Sequence, residues 1–325
     1  MSAGAAPVRV LICSAGRRVE LMQRFRAAAG RLGLPLEVLA CDLDPDGSAA
    51  CALAERAFQV PRCDDPGYGA AVLDVVRRTG AQLVVPTIDP DLMPLARAAE
   101  EFAALGARLH VSPVPVIGTV RDKLQTAQVL GTAGVPVPRT LDRTGLEAAP
   151  EALGWPVFAK PSGGSASRGL QVFEQLQDLP ACFPEPMIFQ ELLAAPEYTV
   201  NMFVDSQGAL RTVIPHLRQR VRAGEVEKGI TERRADLHAI AEGILRALPG
   251  LRGVACFQVL SAADGQPRVI EINARFGGGY PLADEAGACF AQWLLEEVSG
   301  LPCSAHDNWR EGVRMMRYDS AVYRG

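Results

Sequence analysis

The stretch that decides the fold is Ala255–Tyr280, ACFQVLSAADGQPRVIEINARFGGGY. Asp264-Gly265 lies between two apolar runs, Ala255–Leu260 and Arg268–Asn273, the pattern of a β-hairpin. Pairing symmetric about that dipeptide sets Gln258 opposite Glu271, and Asn273 points to the same face. The other face carries Phe257, Val259, Ile270 and Ile272, which suit a core. The front then holds one carboxylate and two amide oxygens, roughly 5–7 Å apart between Cα atoms. Hard oxygens at that separation suit Mg²⁺, which keeps waters and shares substrate phosphates. The same front also fits a plain hairpin with a solvated polar face.

With 325 residues, 48% of them hydrophobic and 22% charged, the chain is long enough for two or three globular domains. A formal net charge of −4 argues against a general nucleic-acid or anionic-membrane binder, which needs a basic surface. The eight cysteines form no Cys-x-x-Cys pair and no zinc spacing, so a reduced, cytoplasmic protein is expected. No apolar run approaches about 18 residues and no signal-like leader opens the chain, so neither a membrane span nor export is expected.

Before residue 118, strands at Val8–Cys13, Leu36–Cys41, Ala57–Val60, Gln82–Val85 and Arg108–Val111 alternate with helical segments, the last running from Asp89 to about Leu105. That alternation predicts βαβ units and a parallel sheet, with ligands beyond the carboxyl ends of its strands. Arg17 and Asp89 fall at such ends and are candidate substrate contacts. The turn at Cys13–Arg17 lacks the G-x-G-x-x-G spacing, which argues against a dinucleotide site.

A helix over Arg121–Leu130 follows, then strand Pro156–Lys160, which runs into Pro161-Ser162-Gly163-Gly164-Ser165-Ala166-Ser167-Arg168-Gly169. Glycine permits close approach, serine hydroxyls and backbone N–H groups donate, and Lys160 and Arg168 add charge, so this loop can wrap a polyphosphate. A flexible surface loop has the same composition. Met187–Leu193 is an apolar strand ending in Gln190-Glu191-Leu192-Leu193, whose free backbone groups can read an adenine edge, with Glu197 near enough for ribose hydroxyls. In Leu217–Arg222 an extended chain puts Arg218, Arg220 and Arg222 on one face, either a solvated edge or a holder of a carboxylate or transferring phosphate. Gly224–Gly229, with Glu225, Glu227 and Lys228, reads as a turn. Gly277 and Gly278, before a helix near Leu282–Glu297, complete the candidate substrate contacts.

In that order the elements resemble the ATP-grasp superfamily, and in particular its carboxylate–amine ligase branch with the carbamoyl phosphate synthetase large-chain type of ATP site. The resemblance rests on Lys123 in Arg121-Asp122-Lys123, Lys160-Pro161 with its Ser/Gly loop, Gln190-Glu191-Leu192-Leu193 with Glu197, and Gln258, Glu271 and Asn273 before Arg275. It departs from the family pattern at Ala274, where proline is common, and at Arg168, where lysine is common. It implies an α/β fold: a Rossmann-like N-terminal parallel sheet (1–118), then a two-part α+β ATP-grasp domain with a lid part (119–194) and a metal-bearing part (195–325).

The same resemblance implies that Lys123 and Lys160 contact ATP phosphates under the Ser162–Gly169 lid, and that Gln190 to Leu193 hold the adenine and Glu197 the ribose. Gln258, Glu271 and Asn273 would bind one or two Mg²⁺ (or Mn²⁺) ions. Arg275 would steady the transferring phosphoryl group, with Arg220 and Lys228 as further catalytic candidates. The expected activity is an ADP-forming ligase joining small-molecule carboxylate and amine substrates through an acyl phosphate, a chemistry of positioning and charge neutralisation. Bicarbonate activation and a non-catalytic ATP sensor are the alternatives, and a homodimer is the expected larger assembly.

Overall fold

The computed structural model describes residues 6–164, 168–262 and 264–324. It opens with β1 (Val8–Cys13), α1 (Val19–Leu32), β2 (Leu36–Asp42), α2 (Ala49–Leu53), β3 (Arg56–Gln59), α3 (Tyr68–Thr79), β4 (Leu83–Pro86), α4 (Asp89–Arg97), α5 (Ala99–Ala104) and β5 (Arg108–Leu109). The five strands form a parallel sheet in the order β3-β2-β1-β4-β5. Both faces are buried: Val10 and Ile12 of β1 enter one core, Leu11 and Cys13 the other. That is why the strands read as continuous apolar runs. The helix expected over Asp89–Leu105 is two, broken at Ala98.

α6 (Val114–Arg121) and α7 (Lys123–Thr132) follow, with the Asp122 carboxylate capping α7 through the N–H groups of Leu124 and Gln125. The lid part contains β6 (Thr140–Asp142), α8 (Arg143–Ala148), β7 (Val157–Pro161), β8 (Gln171–Phe173) and β9 (Met187–Glu191), an antiparallel sheet in the order β6-β9-β7-β8 over its own small core.

The larger antiparallel sheet is built from β10 (Ala194–Val204), β11 (Leu210–Arg222), β12 (Glu225–Thr231), β13 (Gly253–Ser261), β14 (Pro267–Asn273) and β15 (Arg314–Met316), ordered β14-β13-β10-β11-β12-β15. α9 (Ala235–Ala247), with α6 and α7, covers its apolar back, where Val200, Met202, Phe257, Val259 and Ile272 are buried. α10 (Tyr280–Ala286) and α11 (Phe290–Val298) lie against β12 and Phe203 of this sheet, and Phe290, Trp293 and Leu294 pack into the same core as Val10 of β1 and Phe25 of α1. One continuous core therefore ties the two sheets together on either side of the polar front.

Three expectations are corrected. Gln258 does face Glu271, but the register slips between Gln258 and Val259, so Val259 pairs with Val269. This bulge buries Val269 and turns Ile270 to the front beside Glu271. Glu225–Thr231 is a strand, not a turn; its Gly229 is required by packing, since a Cβ there would stand 3.1 Å from the Leu217 carbonyl oxygen. The helix expected near Leu282–Glu297 is the α10–α11 pair, broken at Gly287 (φ +113°).

Candidate active site

Two cavities open on the polar front of the large sheet. The first, about 380 Å³, lies between the lid sheet and β13–β14. Its inner end carries Lys123, Lys160, Gln258 and Glu271; its outer end is an apolar slot walled by Phe158, Val172, Leu260 and Ile270. The second, about 290 Å³, lies between the N-terminal sheet and the large sheet, under the loop Gly277–Gly279. Arg218, Gln258 and Glu271 line both cavities, so the two meet there.

Lys160, at the end of β7, is buried, and its Nζ donates to the Ile270 carbonyl at 3.1 Å. Burial pushes its pKa down to about 8; Glu271 pulls it back up and Lys123 pushes it further down. Lys123 is lowered too, chiefly by burial, and its Nζ donates to the Gly164 carbonyl. The lid is anchored to α7 at the same place: the Lys123 N–H donates to the Ser162 carbonyl at 3.1 Å, and Ser162 Oγ donates to Asp122 at 2.8 Å. Arg121 reaches the Gly163 carbonyl at 3.1 Å. A buried and a half-buried cation with loop backbone around them suit a polyanion.

Gly164, Arg168, Gln190, Glu191, Leu192, Leu193 and Glu197 line the first cavity; Ser162, Gly163 and Gly169 adjoin these residues in the chain, and Ser165 and Ser167 lie outside the described residues. Gly169, at φ +69°, lets the chain turn back against Pro161. Gln190 is buried and fixed by Thr140 Oγ at 2.8 Å, and the Glu191 carboxylate is turned away to Arg139. Residues 191–193 thus present backbone to the slot. Glu197 accepts from Arg218; burial raises its pKa and outweighs the pull of that guanidinium.

A chain of contacts crosses the second cavity. Asn273 Nδ2 donates to Glu271 Oε1 at 2.9 Å, and Arg275 donates to Asn273 Oδ1 at 3.1 Å and to Asp89 Oδ2 at 2.6 Å. Burial disfavours the Arg275 charge, but Asp89 overrides it and the pKa stands above the usual value. Asp89, Gly277, Gly278 and Arg17 are brought together along this cavity. The glycines serve close approach: a Cβ on Gly277 would meet Cys256 Sγ at 2.9 Å, and on Gly279 the buried His216 ring at 2.6 Å.

The side-chain groups of Gln258, Glu271 and Asn273 suit a hard cation, with Asn273 here turning its nitrogen to Glu271 and its oxygen to Arg275. They are one carboxylate and two amides, with no cluster of three His, Cys, Asp or Glu among the described residues to suit a softer metal. A single protein charge leaves most of a Mg²⁺ shell to waters and phosphate oxygens.

The arginine row does not survive folding. Register shifts on either side of Arg220 break the alternation of β11. Arg218, its side chain 5% exposed, enters the cleft, while Arg220, 64% exposed, pairs with Glu227 outside it. Lys228 is exposed and lines neither cavity. Arg220 and Lys228, expected as catalytic candidates, thus stand outside the cleft, and Arg218 is the arginine of β11 that lines both cavities. Sequence reasoning also missed Thr199, Arg18 and Glu225, all of which line the second cavity. A period-2 reading of β10 from Glu197 would have put Thr199 on the Gln258 face; Arg18 and Glu225 carry no local signal.

Comparison with known proteins agrees with this geometry. Residues 10–110 match the model of the PylC-like, N-terminal domain, and residues 120–279 that of the ATP-grasp domain. The mitochondrial methylcrotonoyl-CoA carboxylase subunit alpha of Arabidopsis thaliana is 22% identical over 90% of this chain and 43% of its own length. The D-alanine–D-alanine ligase of Ectopseudomonas mendocina (strain ymp) is 25% identical over 64% of this chain and 74% of its own. The crystal structure of an L-amino acid ligase from Bacillus licheniformis superposes with a TM-score of 0.68 at 20% identity, covering 90% of this chain and 74% of that one. The chain spans less than half the length of the carboxylase subunits it matches. No helix among the described residues is long and apolar enough to cross a membrane. With a parallel N-terminal sheet, a separate lid sheet and a two-cavity front on a large antiparallel sheet, the chain belongs to the ATP-grasp superfamily.

Proposed function

We propose that this protein is an ATP- and Mg²⁺-dependent ligase that activates a carboxylate as an acyl phosphate and joins it to an amine. The observation that carries the reading is the meeting of the two cavities at Arg218, Gln258 and Glu271. A nucleotide with its base in the apolar slot and its phosphates at Lys123 and Lys160 would bring its γ-phosphate to that junction. A carboxylate in the second cavity would approach the junction from the other side.

A substrate carboxylate oxygen attacks the γ-phosphorus, and the bond to the bridging oxygen of ADP breaks. Lys160 and Lys123 balance the phosphate charge, while Arg218 and Arg275 face the reacting group. Mg²⁺ held by Gln258, Glu271 and Asn273 would neutralise phosphate charge and fix the in-line geometry. The amine nitrogen then attacks the acyl carbon, inorganic phosphate leaves, and the nitrogen gives up its proton. The lid anchored at Asp122–Ser162 keeps water from the intermediate.

The match to a carboxylase subunit favours a second reading, bicarbonate activation. ADP release measured with pooled carboxylates and amines separates the two. Release only when both co-substrates are present supports ligation; bicarbonate-dependent release without an amine supports the second reading. ATP binding with no release under any condition refutes both and leaves a sensor. The eight free cysteines support a reducing, cytoplasmic setting. The partners we assign are small-molecule carboxylate and amine, with a homodimer as the assembly to test by light scattering.

A further inference from the structure

The second cavity continues outward past Gly277 and Gly278 into a smaller cleft of about 70 Å³, between the start of α1 and the chain beyond β15. Arg17, Arg18 and Arg317 converge there. Arg317 is positioned from three sides. Its N–H donates to the Glu227 carbonyl at 2.9 Å, one guanidinium nitrogen to Glu225 at 3.2 Å, and the other to the Gly278 carbonyl. Arg18 takes the other oxygen of Glu225 at 2.9 Å. Arg317 lies beyond residue 279, where the ATP-grasp match ends, so this cleft is partly built from a segment outside both family models.

The charges in this region do not balance. Arg218 is matched by Glu197 and Arg275 by Asp89, while Glu20, which lines the cleft, shares Arg24 with Asp284 and Glu285. Glu225 is a single carboxylate shared by two guanidinium groups. Arg17 is exposed and has no ion pair or hydrogen bond among the described residues. Glu271 belongs to the inner end, with Gln258 and Asn273. The three guanidinium groups of Arg17, Arg18 and Arg317 thus stand against two carboxylates, Glu20 and Glu225, a surplus of positive charge. Planar guanidinium forks suit carboxylate or phosphate. Arg317 Nε is also buried without a hydrogen-bond partner.

We propose that this cleft is a second anion site: the substrate carries, besides the carboxylate at the Glu271 end, a carboxylate or phosphate held by Arg17, Arg18 and Arg317. The proposal rests on the ligase reading for what fills the inner end, but it is tested by binding alone. Calorimetry on protein saturated with Mg·AMP-PNP compares matched pairs: succinate with butyrate, L-glutamate with L-glutamine, and O-phospho-L-serine with L-serine. At least one dianion should bind tenfold or more tightly than its partner. Arg17→Gln, at an exposed and unpaired residue, and Arg317→Gln should each cut that preference to about twofold. The phosphoserine arm distinguishes a phosphate from a carboxylate. No dianion preference in the wild type, or a preference that survives both substitutions, overturns the proposal. Failure to bind AMP-PNP overturns the ligase reading instead, and the same pairs titrated into the free protein then still decide the cleft.

Discussion

Replacing Lys160 by methionine should stabilise the free protein at neutral pH while removing its affinity for ATP. The Lys160 pKa is pushed from its ordinary 10.5 to about 8, first by burial and then by Lys123, against the pull of Glu271. At 1.36 kcal/mol per pH unit, keeping this ammonium charged in place costs about 3 kcal/mol. The unfolded chain keeps its proton up to about pH 10.5, the folded one only up to about pH 8. Between those values the unfolded state holds more protons, so wild-type stability rises with pH. Below pH 8 the penalty is present in full. Methionine removes it but leaves the Ile270 carbonyl without its 3.1 Å donor, which costs about 1–2 kcal/mol. The variant should therefore be about 1–2 kcal/mol more stable at pH 7, and by pH 10.5 it should be less stable than the wild type. Urea unfolding of the free protein across pH 7 to 10.5 reads this crossing. Mg·ATP should raise the wild-type midpoint and leave the variant unmoved. A variant less stable than the wild type at pH 7, or one still stabilised by Mg·ATP, refutes the reasoning.

Further substitutions separate the roles of neighbouring residues. Glu271→Gln removes the one carboxylate of the metal set, and the Mg²⁺ concentration for half-maximal ADP release should rise on the order of 100-fold, as expected for about 3 kcal/mol. Unchanged Mg²⁺ dependence would move the metal elsewhere. Arg218→Ala should lower turnover by about 10²-fold, whereas Arg220→Ala, whose partner Glu227 lies outside the cleft, should stay within about twofold; the reverse order would restore the arginine row as first read. Gly279→Ala drives a Cβ to 2.6 Å from the neutral, fully buried His216 ring, and unfolding should show a loss of about 1–3 kcal/mol. A thermally unchanged Gly279→Ala would mean that the loop is free to move off the sheet.

What the sequence discloses and what it hides follow from the range of the interactions involved. The hairpin is local in that Asp264-Gly265 marks its turn, but the pairs beside the turn, Ser261 with Pro267 and Leu260 with Arg268, stand one residue off the symmetric register, and the bulge brings Gln258 opposite Glu271. The bulge beside it escapes notice because Val269 and Ile270 are both apolar β-branched residues. No alternation rule says which of the two is buried. Arg218 and Arg220 pose the same problem with charge. Identical side chains two residues apart read as one face until register shifts set one in the cleft and the other in water. Lys123, Lys160 and the Gln190–Leu193 strand end were legible because each is bound to a local element, a capped helix or a strand running into a loop. Gly224 and Gly229 around Glu225 look like turn residues, although Gly229 lies in a strand and packs closely on the Leu217 carbonyl oxygen of β11 and on Val226. Arg317 lies farther still from any motif. It enters the site only because β15 pairs with β12 and carries the following residue to Glu225 and Gly278. Local periodicity thus reaches the first cavity, which is made of contiguous segments. The second is assembled from the start of α1, β11, β12, the glycine loop and the tail, and its charge balance exists only after they meet.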